Sequence, residues 1–133
     1  MKLASSLLVL GAISFAAMSA LADMGKDAAP LKAAAGSKAE SHIAAGIEHY
    51  GKGHWDVAKK HFSEAEKADP QSAEAHYDLA LALDKSGDHK SATEHFQRAA
   101  ALGKDNSDIQ QSEILKKHLK MLAFLAGGRL TQL

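Results

Sequence analysis

One short pattern of residues occurs twice in this chain at a constant offset, and it constrains the fold more than any other feature. The first copy consists of Gly53, Ala58, Phe62 and Ala65, and the second of Gly87, Ala92, Phe96 and Ala99, each 34 positions after its counterpart. A period of this length is typical of helix-turn-helix units that cannot bury their apolar faces alone and therefore stack on one another. The pattern predicts a stack of helical hairpins.

Turn-forming and capping residues divide the repeated region into four predicted helices, over residues 37–50, 55–67, 73–85 and 89–102. Pro70 stops the second helix, because proline lacks an amide hydrogen and disfavours helical backbone at the preceding residue. Ser72 and Asp88 are the expected N-caps of the third and fourth helices. Ser37 and Glu40 have the spacing of a capping box, in which each side chain accepts a hydrogen bond from a backbone amide at the other's position.

The repeated residues resemble the tetratricopeptide repeat family over residues 39–106. The positions that carry the resemblance are Gly46, Trp55, Phe62, Pro70, Leu79, Ala80 and Phe96. The resemblance implies an all-α fold, a fragment of a right-handed α-solenoid, in which residues 37–70 and 71–106 form one repeat each. Gly46 and Ala80 are expected where the two helices of a hairpin approach closely, so that a larger side chain would force them apart.

A further helix is predicted over residues 107–126, where Ser107 and Gln110 have the spacing of a second capping box. We expect this helix to cap the stack, because two repeats are fewer than the three that usually make such a stack stable. Its last turns are apolar on nearly all sides, which leaves two alternatives. The side chains fold over the second repeat, or they form a homodimer through Leu119, Leu122 and Leu125. Residues 127–133 are predicted to be a tail.

Residues 1–22 have the pattern of a secretory signal peptide, with Lys2, an apolar run and the small residues Ala20 and Ala22 at the end. The alternative is an uncleaved membrane anchor, because the run approaches the ~20 residues that span a bilayer. We expect cleavage, no stable membrane insertion after it, and a protein of the periplasm or a secreted one. Residues 23–36 are rich in alanine and have no apolar period, which predicts a flexible leader.

The composition argues against several classes of function. The chain has 133 residues with 16 Lys plus Arg and 16 Asp plus Glu, so it lacks the basic field that nucleic-acid binding needs. It has no cysteine, and therefore no disulfide, thiolate zinc site or cysteine nucleophile. It also contains no nucleophile elbow, phosphate-binding loop or His-Glu-x-x-His motif. We expect neither an enzyme nor a bound cofactor.

The resemblance implies that the first helix of each repeat lines a concave groove that receives a peptide or helix of a partner protein. The groove positions are Ile43, Ile47, Tyr50, Tyr77, Asp78, Leu81, Asp84 and Lys85. This groove would be apolar with an acidic edge, which suits a segment with apolar anchors and a basic residue. The subclass that binds C-terminal carboxylates is not expected, because isoleucine and the acidic Glu74 and Asp78 replace its polar and basic residues. Alternatively, the chain's own leader or a second copy covers the groove.

Eight histidines make metal binding in an exported protein the alternative function. Imidazole is a common ligand of Zn, Cu and Ni. No two histidines lie three or four residues apart, which is the spacing that a site on one helix needs. A metal site formed between two helices remains the alternative, and its candidate ligands are His49 and His54 across the first turn, with His61. His42 and His61 recur one repeat later as His76 and His95, which indicates duplication, and adventitious metal binding is the simpler interpretation.

Overall fold

The computed structural model describes residues 29–127, and within them the protein consists of six helices without strands. They are α1 (Glu40–Gly51), α2 (Trp55–Ala68), α3 (Ala73–Lys85), α4 (His89–Leu102), α5 (Ser107–Gln111) and α6 (Glu113–Leu125). The predicted signal peptide, the first part of the leader and nearly all of the tail lie outside the described residues. Among the helices of residues 29–127, none combines the length and the apolar character needed to cross a membrane.

Consecutive helices pack as two hairpins, α1 with α2 and α3 with α4, and α2 packs against α3 to join them. The alanine and phenylalanine positions of the repeated pattern are fully buried in both copies. They lie on one face of α2 and of α4, because spacings of four and three residues bring side chains to the same side of a helix. The structure confirms the all-helical stack that the repeat period predicts.

The first hairpin closes tightly at Gly46. A methyl group at this position would lie 2.5 Å from Cδ1 and 2.9 Å from Cζ of Phe62, far inside the normal distance between carbon atoms. The equivalent position in the second hairpin is Ala80, which is fully buried. The prediction that these positions need small residues is confirmed for the first hairpin, where α1 approaches the Phe62 ring.

Capping of the two helices of the second hairpin follows the sequence prediction. The Oγ atom of Ser72 accepts a hydrogen bond of 3.1 Å from the amide of Ala75, and Oδ1 of Asp88 accepts one of 3.1 Å from the amide of Ser91. Each bond satisfies one of the amides that the first turn of a helix leaves without a backbone acceptor. Both helices therefore begin where the sequence predicts.

The capping box predicted for Ser37 and Glu40 is wrong, because both side chains bond one residue out of register. Ser37 Oγ accepts from the amide of Ala39, while Glu40 Oε2 accepts from the amide of Gly36 at 2.9 Å. Ser37 Oγ also donates to Asp69 Oδ2 at 3.3 Å, which ties it to the connection between α2 and α3. As a result α1 begins at Glu40, and Ala39 stands at its N-cap position.

The prediction of one continuous helix over residues 107–126 is wrong, since the backbone is extended at Ser112 and separates α5 from α6. Ser112 Oγ lies 2.9 Å from the hydroxyl of Tyr77 and also accepts from the amide of Leu115, which makes Ser112 the N-cap of α6. The bend allows both Ile109 and Leu115 to be buried in the same core. The free energy of this burial and the Tyr77 contact favour the break over a straight helix.

The second predicted capping box, of Ser107 and Gln110, is also wrong. Asn106 is the N-cap of α5, and its Oδ1 accepts from the amides of Asp108 and Ile109 at 3.0 and 3.3 Å. Gln110 instead donates from Nε2 to the carbonyl oxygens of Ala100 and Gly103, at 3.0 and 2.9 Å. Gln110 thereby bonds to the end of α4, where the last carbonyls of a helix lack partners within the helix.

Candidate functional site

The predicted groove positions lie on α1 and α3, and most of them are inside the protein. The buried ones are Ile43, Tyr50, Tyr77, Asp78 and Leu81. Ile47 and Asp84 are half-buried, and Lys85 is exposed. A partner that approaches this face of the protein therefore meets only a part of the predicted set directly.

Residues 29–36 of the leader lie along the same face. The amide of Leu31 donates a hydrogen bond of 2.6 Å to Oδ1 of Asp78, and the side chains of Leu31 and Ala33 pack against the buried core. An extended segment that gives a backbone amide to a groove residue makes the kind of contact that a bound peptide makes. The end of the leader thus occupies part of the surface that the resemblance assigns to a partner.

Asp78 serves this contact rather than an exposed acidic edge. Its side chain is fully buried, and none of the described residues donates a hydrogen bond to Oδ2. Burial raises the pKa of the Asp78 carboxyl well above its usual range, the hydrogen bond from Leu31 opposes this, and the charge of Glu74 raises the pKa further. Asp78 is therefore an anchor for the leader and does not present its charge to a partner.

The other predicted acidic residue, Asp84, is also engaged within the chain. Its Oδ1 lies 2.7 Å from Nδ1 of His89 and 3.0 Å from Nε2 of His118. Thr93 Oγ1, in turn, lies 2.7 Å from Nδ1 of His118. These contacts join the end of α3 to α4 and α6, so that the Asp84 carboxylate is already hydrogen-bonded to imidazole groups.

An open cleft of about 280 Å³ remains between the leader and α1, and we call it the α1 cleft. Its lining residues are Lys32, Ala33, Glu40, Ile43, Ala44 and Ile47. Alanine and isoleucine form its walls, and one residue of each charge stands at its rim. Clefts of this kind accept an apolar side chain while the charged rim orients the rest of a ligand. Two predicted groove residues, Ile43 and Ile47, contribute to it.

The other residues of the α1 cleft were not predicted from the sequence. Ala44 stands three residues before Ile47 and shares its helix face, which is a signal that the sequence does contain. Lys32 and Ala33 belong to the leader, where no apolar period marks a buried side. Their placement depends on the long-range contact of Leu31 with Asp78, which no local pattern encodes.

Comparison with known proteins identifies the fold family. The tetratricopeptide repeat family matches residues 43–107, which contain both copies of the repeated pattern. The chain is a tetratricopeptide repeat protein. Proteins of this family serve as scaffolds for protein–protein interaction and are generally not enzymes. A search of curated proteins finds no match to the chain.

The three histidines predicted as candidate metal ligands of this tetratricopeptide repeat protein lie together at the turn between α1 and α2. Nδ1 of His49 is 3.4 Å from Nδ1 of His54, and the rings of His49 and His61 stack with centroids 5.5 Å apart. In the part of the chain that the structure describes, however, this trio is not among the groups that bring three ligand atoms within 4.8 Å of one another.

Two other clusters do bring three possible ligand atoms within that distance in the described residues. One consists of Glu66, His76 and His95, and the other of Asp84, His89 and His118. Neither cluster was predicted from the sequence, because each draws on three helices whose packing no residue spacing reports. The repeat relation of His76 and His95 to His42 and His61 was the available signal.

The end of α6 leaves large apolar side chains in solvent. Phe124 is 70% exposed and Leu125 is 73% exposed, while Leu119 and Leu122 are half-buried. Leu119 packs against the core of the stack, so it contributes to the capping role predicted for this region. Self-association through Leu119, Leu122 and Leu125 stays a prediction.

Proposed function

We propose that this tetratricopeptide repeat protein is an exported adaptor that holds a short segment of a partner protein in the α1 cleft. The observation that supports this proposal best is the cleft itself. It has apolar walls and a rim with both charges, and it lies on the helix that the family resemblance assigns to partner binding. Export to the periplasm rests on the signal-peptide pattern of residues 1–22.

The chemistry of the cleft defines the kind of partner segment. Ile43, Ala44 and Ile47 offer an apolar wall for one or two aliphatic side chains of the partner. Glu40 is exposed at the rim and suits a basic residue of the partner, whereas Lys32 suits an acidic one. Glu40 is more accessible to a partner than Asp78 and Asp84, because its side chain is exposed, although its Oε2 also accepts from the amide of Gly36.

The test of this assignment compares Ala44→Glu with Ala101→Glu. Both alanines are exposed on helices, but only Ala44 lines the α1 cleft, so Ala101→Glu controls for an added charge on a helix surface. In chemical crosslinking in native extract, we expect the parent and Ala101→Glu to capture the same protein and Ala44→Glu to lose it. Equal capture by Ala44→Glu and Ala101→Glu would show that the cleft is not the binding site.

Substitution of buried groove residues would be a poor test. Tyr77 and Leu81 are buried in the core, so their replacement with alanine removes packing and lowers the stability of the whole stack. Loss of a partner would then report unfolding rather than a missing contact. The charge introduced at Ala44 avoids this problem because the side chain points to solvent space in the cleft.

Export is tested separately by the N-terminal sequence of the protein recovered from the periplasmic fraction. We expect Asp23 as the first residue, since the small residues Ala20 and Ala22 define the cleavage site. Recovery of the chain in the membrane fraction with Met1 or Lys2 at its start would support the anchor alternative.

A further inference from the structure

Three side chains from three helices converge where the two repeats meet, and we call them the Glu66 cluster. Glu66 lies near the end of α2, His76 in the first part of α3 and His95 in the middle of α4. Nδ1 of His76 is 3.3 Å from Nδ1 of His95, and each of these atoms is 3.7 Å from a carboxylate oxygen of Glu66. The His76 side chain is only 1% exposed, so water reaches the cluster through Glu66 and His95.

The hydrogen bond of His76 outside the cluster selects its tautomer. Nε2 of His76 lies 3.0 Å from the carbonyl oxygen of Pro70. Because a carbonyl oxygen can only accept, Nε2 carries a proton, and in the tautomer with a single ring proton Nδ1 directs a lone pair into the cluster. A ligating histidine typically donates its other ring N–H to a carbonyl or carboxylate in this way, which fixes the ring for the metal.

Among the residues that the structure describes, Glu66 has no short contact that would explain its place in the cluster. Its oxygens are 3.7 Å from both imidazole nitrogens, which is beyond hydrogen-bond distance. Its contact with Arg98 is also long, 3.9 Å from Nη1 to Oε1, and the Arg98 side chain is largely exposed. Nδ1 of His76, Nδ1 of His95 and the Glu66 carboxylate thus face a common point, and Glu66 makes no direct hydrogen bond to either imidazole ring.

The distances match those of a small divalent cation at that point. Zinc binds nitrogen and oxygen at roughly 2.0–2.2 Å, and tetrahedral geometry then separates neighbouring ligand atoms by about 3.3–3.5 Å. The nitrogen pair already has this separation, and Glu66 needs to move only slightly.

We propose that Glu66, His76 and His95 bind one Zn²⁺ ion, through a carboxylate oxygen of Glu66 and Nδ1 of both histidines, with water as the fourth ligand. Two imidazoles and a carboxylate form an established ligand set of zinc. Each histidine binds as the tautomer that carries its proton on Nε2 and offers the lone pair of Nδ1 to the metal. The ion would join α2 of the first repeat to α3 and α4 of the second, and this site is independent of the α1 cleft.

The first repeat contains a natural comparison for this site. His42 and His61 are the repeat equivalents of His76 and His95, but the residue at the position equivalent to Glu66 is Lys32. One repeat earlier, the sequence therefore has histidines at both imidazole positions and a lysine, in the leader, at the carboxylate position. A substitution at His61 removes the imidazole at the position equivalent to His95 and leaves the Glu66 cluster complete, so it serves as a control.

The second three-residue cluster, of Asp84, His89 and His118, fits an ion less well. Both imidazoles are at hydrogen-bond distance from the same oxygen of Asp84, 2.7 and 3.0 Å, so the ligands would have to separate to admit a metal. His89 is also largely exposed. The test must nevertheless resolve the two clusters, because both contain two histidines and one carboxylate.

The experiment uses tag-free protein produced from the full-length gene, labelled with ¹⁵N, stripped with a chelator and titrated with ZnCl₂. Long-range ¹H–¹⁵N NMR spectra report each imidazole nitrogen separately. We expect Nδ1 of His76 and of His95 to shift together and to saturate at about one equivalent, while Nε2 of His76 keeps its proton. Unchanged Nδ1 signals of these two residues, or saturation of His89 and His118 in their place, would overturn the proposal.

Affinity provides the second measurement, by competition with a chromophoric zinc chelator. Glu66→Gln and His95→Asn are expected to weaken zinc binding by roughly tenfold or more, whereas His61→Asn is expected to stay within about twofold of the parent. Circular dichroism establishes that each variant is folded. Glu66→Gln is expected to fold, because the Glu66 side chain is partly exposed and glutamine has nearly the same size. If Glu66→Gln and His61→Asn bind zinc with the same affinity, the carboxylate is not a ligand and the assignment fails.

Discussion

Gly46→Ala is the most direct test of how the first hairpin closes. The added methyl group would lie 2.5 Å from Cδ1 and 2.9 Å from Cζ of Phe62, whereas ordinary carbon contacts are at 3.4 Å or more. Phe62 is fully buried, so its ring cannot move into solvent to relieve the overlap. Either the ring leaves its preferred position or α1 moves away from α2, and both disturb a well-packed core.

Two opposing effects determine the size of the change in stability. Overpacking of a core typically costs about 1–3 kcal/mol of the free energy of unfolding. Alanine is favoured over glycine inside a helix by about 1 kcal/mol, which offsets part of this cost. Because the overlap is severe, the upper part of the overpacking range applies, and we expect a net loss of about 1–2 kcal/mol. For a domain of this size, each kcal/mol lowers Tm by about 4–8 °C.

The matched control is Gly51→Ala, at the last residue of the same helix. A methyl group at Gly51 would have no neighbour within 4 Å among the described residues, so only the helix preference should act. Urea denaturation followed by circular dichroism should show a gain of up to about 1 kcal/mol for Gly51→Ala. The reasoning is refuted if Gly46→Ala is as stable as Gly51→Ala, because the contact with Phe62 would then have no cost.

Two further substitutions test the bend between α5 and α6 and the buried carboxyl. Ser112→Ala removes the N-cap of α6 and the partner of the Tyr77 hydroxyl, so the free energy of unfolding in urea should fall by about 1–2 kcal/mol, and an unchanged midpoint would contradict this role. Asp78→Asn keeps an acceptor for the Leu31 amide and removes the charge. Because burial raises the pKa of the carboxyl in the folded protein, the stability of the parent should fall as the pH rises above 3.8, the usual pKa of an aspartate. The variant should therefore exceed the parent in urea midpoint at pH 7 and lose this advantage near pH 3, whereas a constant difference at both pH values would count against the raised pKa.

The sequence predicted the features that depend on residues close together in the chain. The caps Ser72 and Asp88 and the stop at Pro70 each follow from geometry within one helical turn. The small residue at Gly46 follows instead from its equivalence to Ala80 in the repeat. The constant period of the repeat adds the stacking, because equivalent helices must bury equivalent faces. These local rules act in the same way wherever such residues occur.

The features that the sequence did not predict depend on contacts between distant residues. Ser112 is not a helix breaker by type, and its bend relies on the hydroxyl of Tyr77, 35 residues earlier. Likewise, His76 and His95 are 19 residues apart and meet only because α3 and α4 pack together. The place of Leu31 relies on Asp78, 47 residues later. Such pairs become visible only when the packing of the helices is known.

The span of these tertiary hydrogen bonds also bears on how the protein folds. Asn106 bonds to Glu74, 32 residues away, and His118 to Asp84, 34 residues away, so each of these bonds closes a loop of about one repeat. Short loops lose little conformational entropy on closure, and chains with such local contacts fold quickly. We infer that folding spreads from one hairpin to the next. Unfolding would then begin at residues 29–36 and at α6, while the two phenylalanine-centred hairpins stay closed.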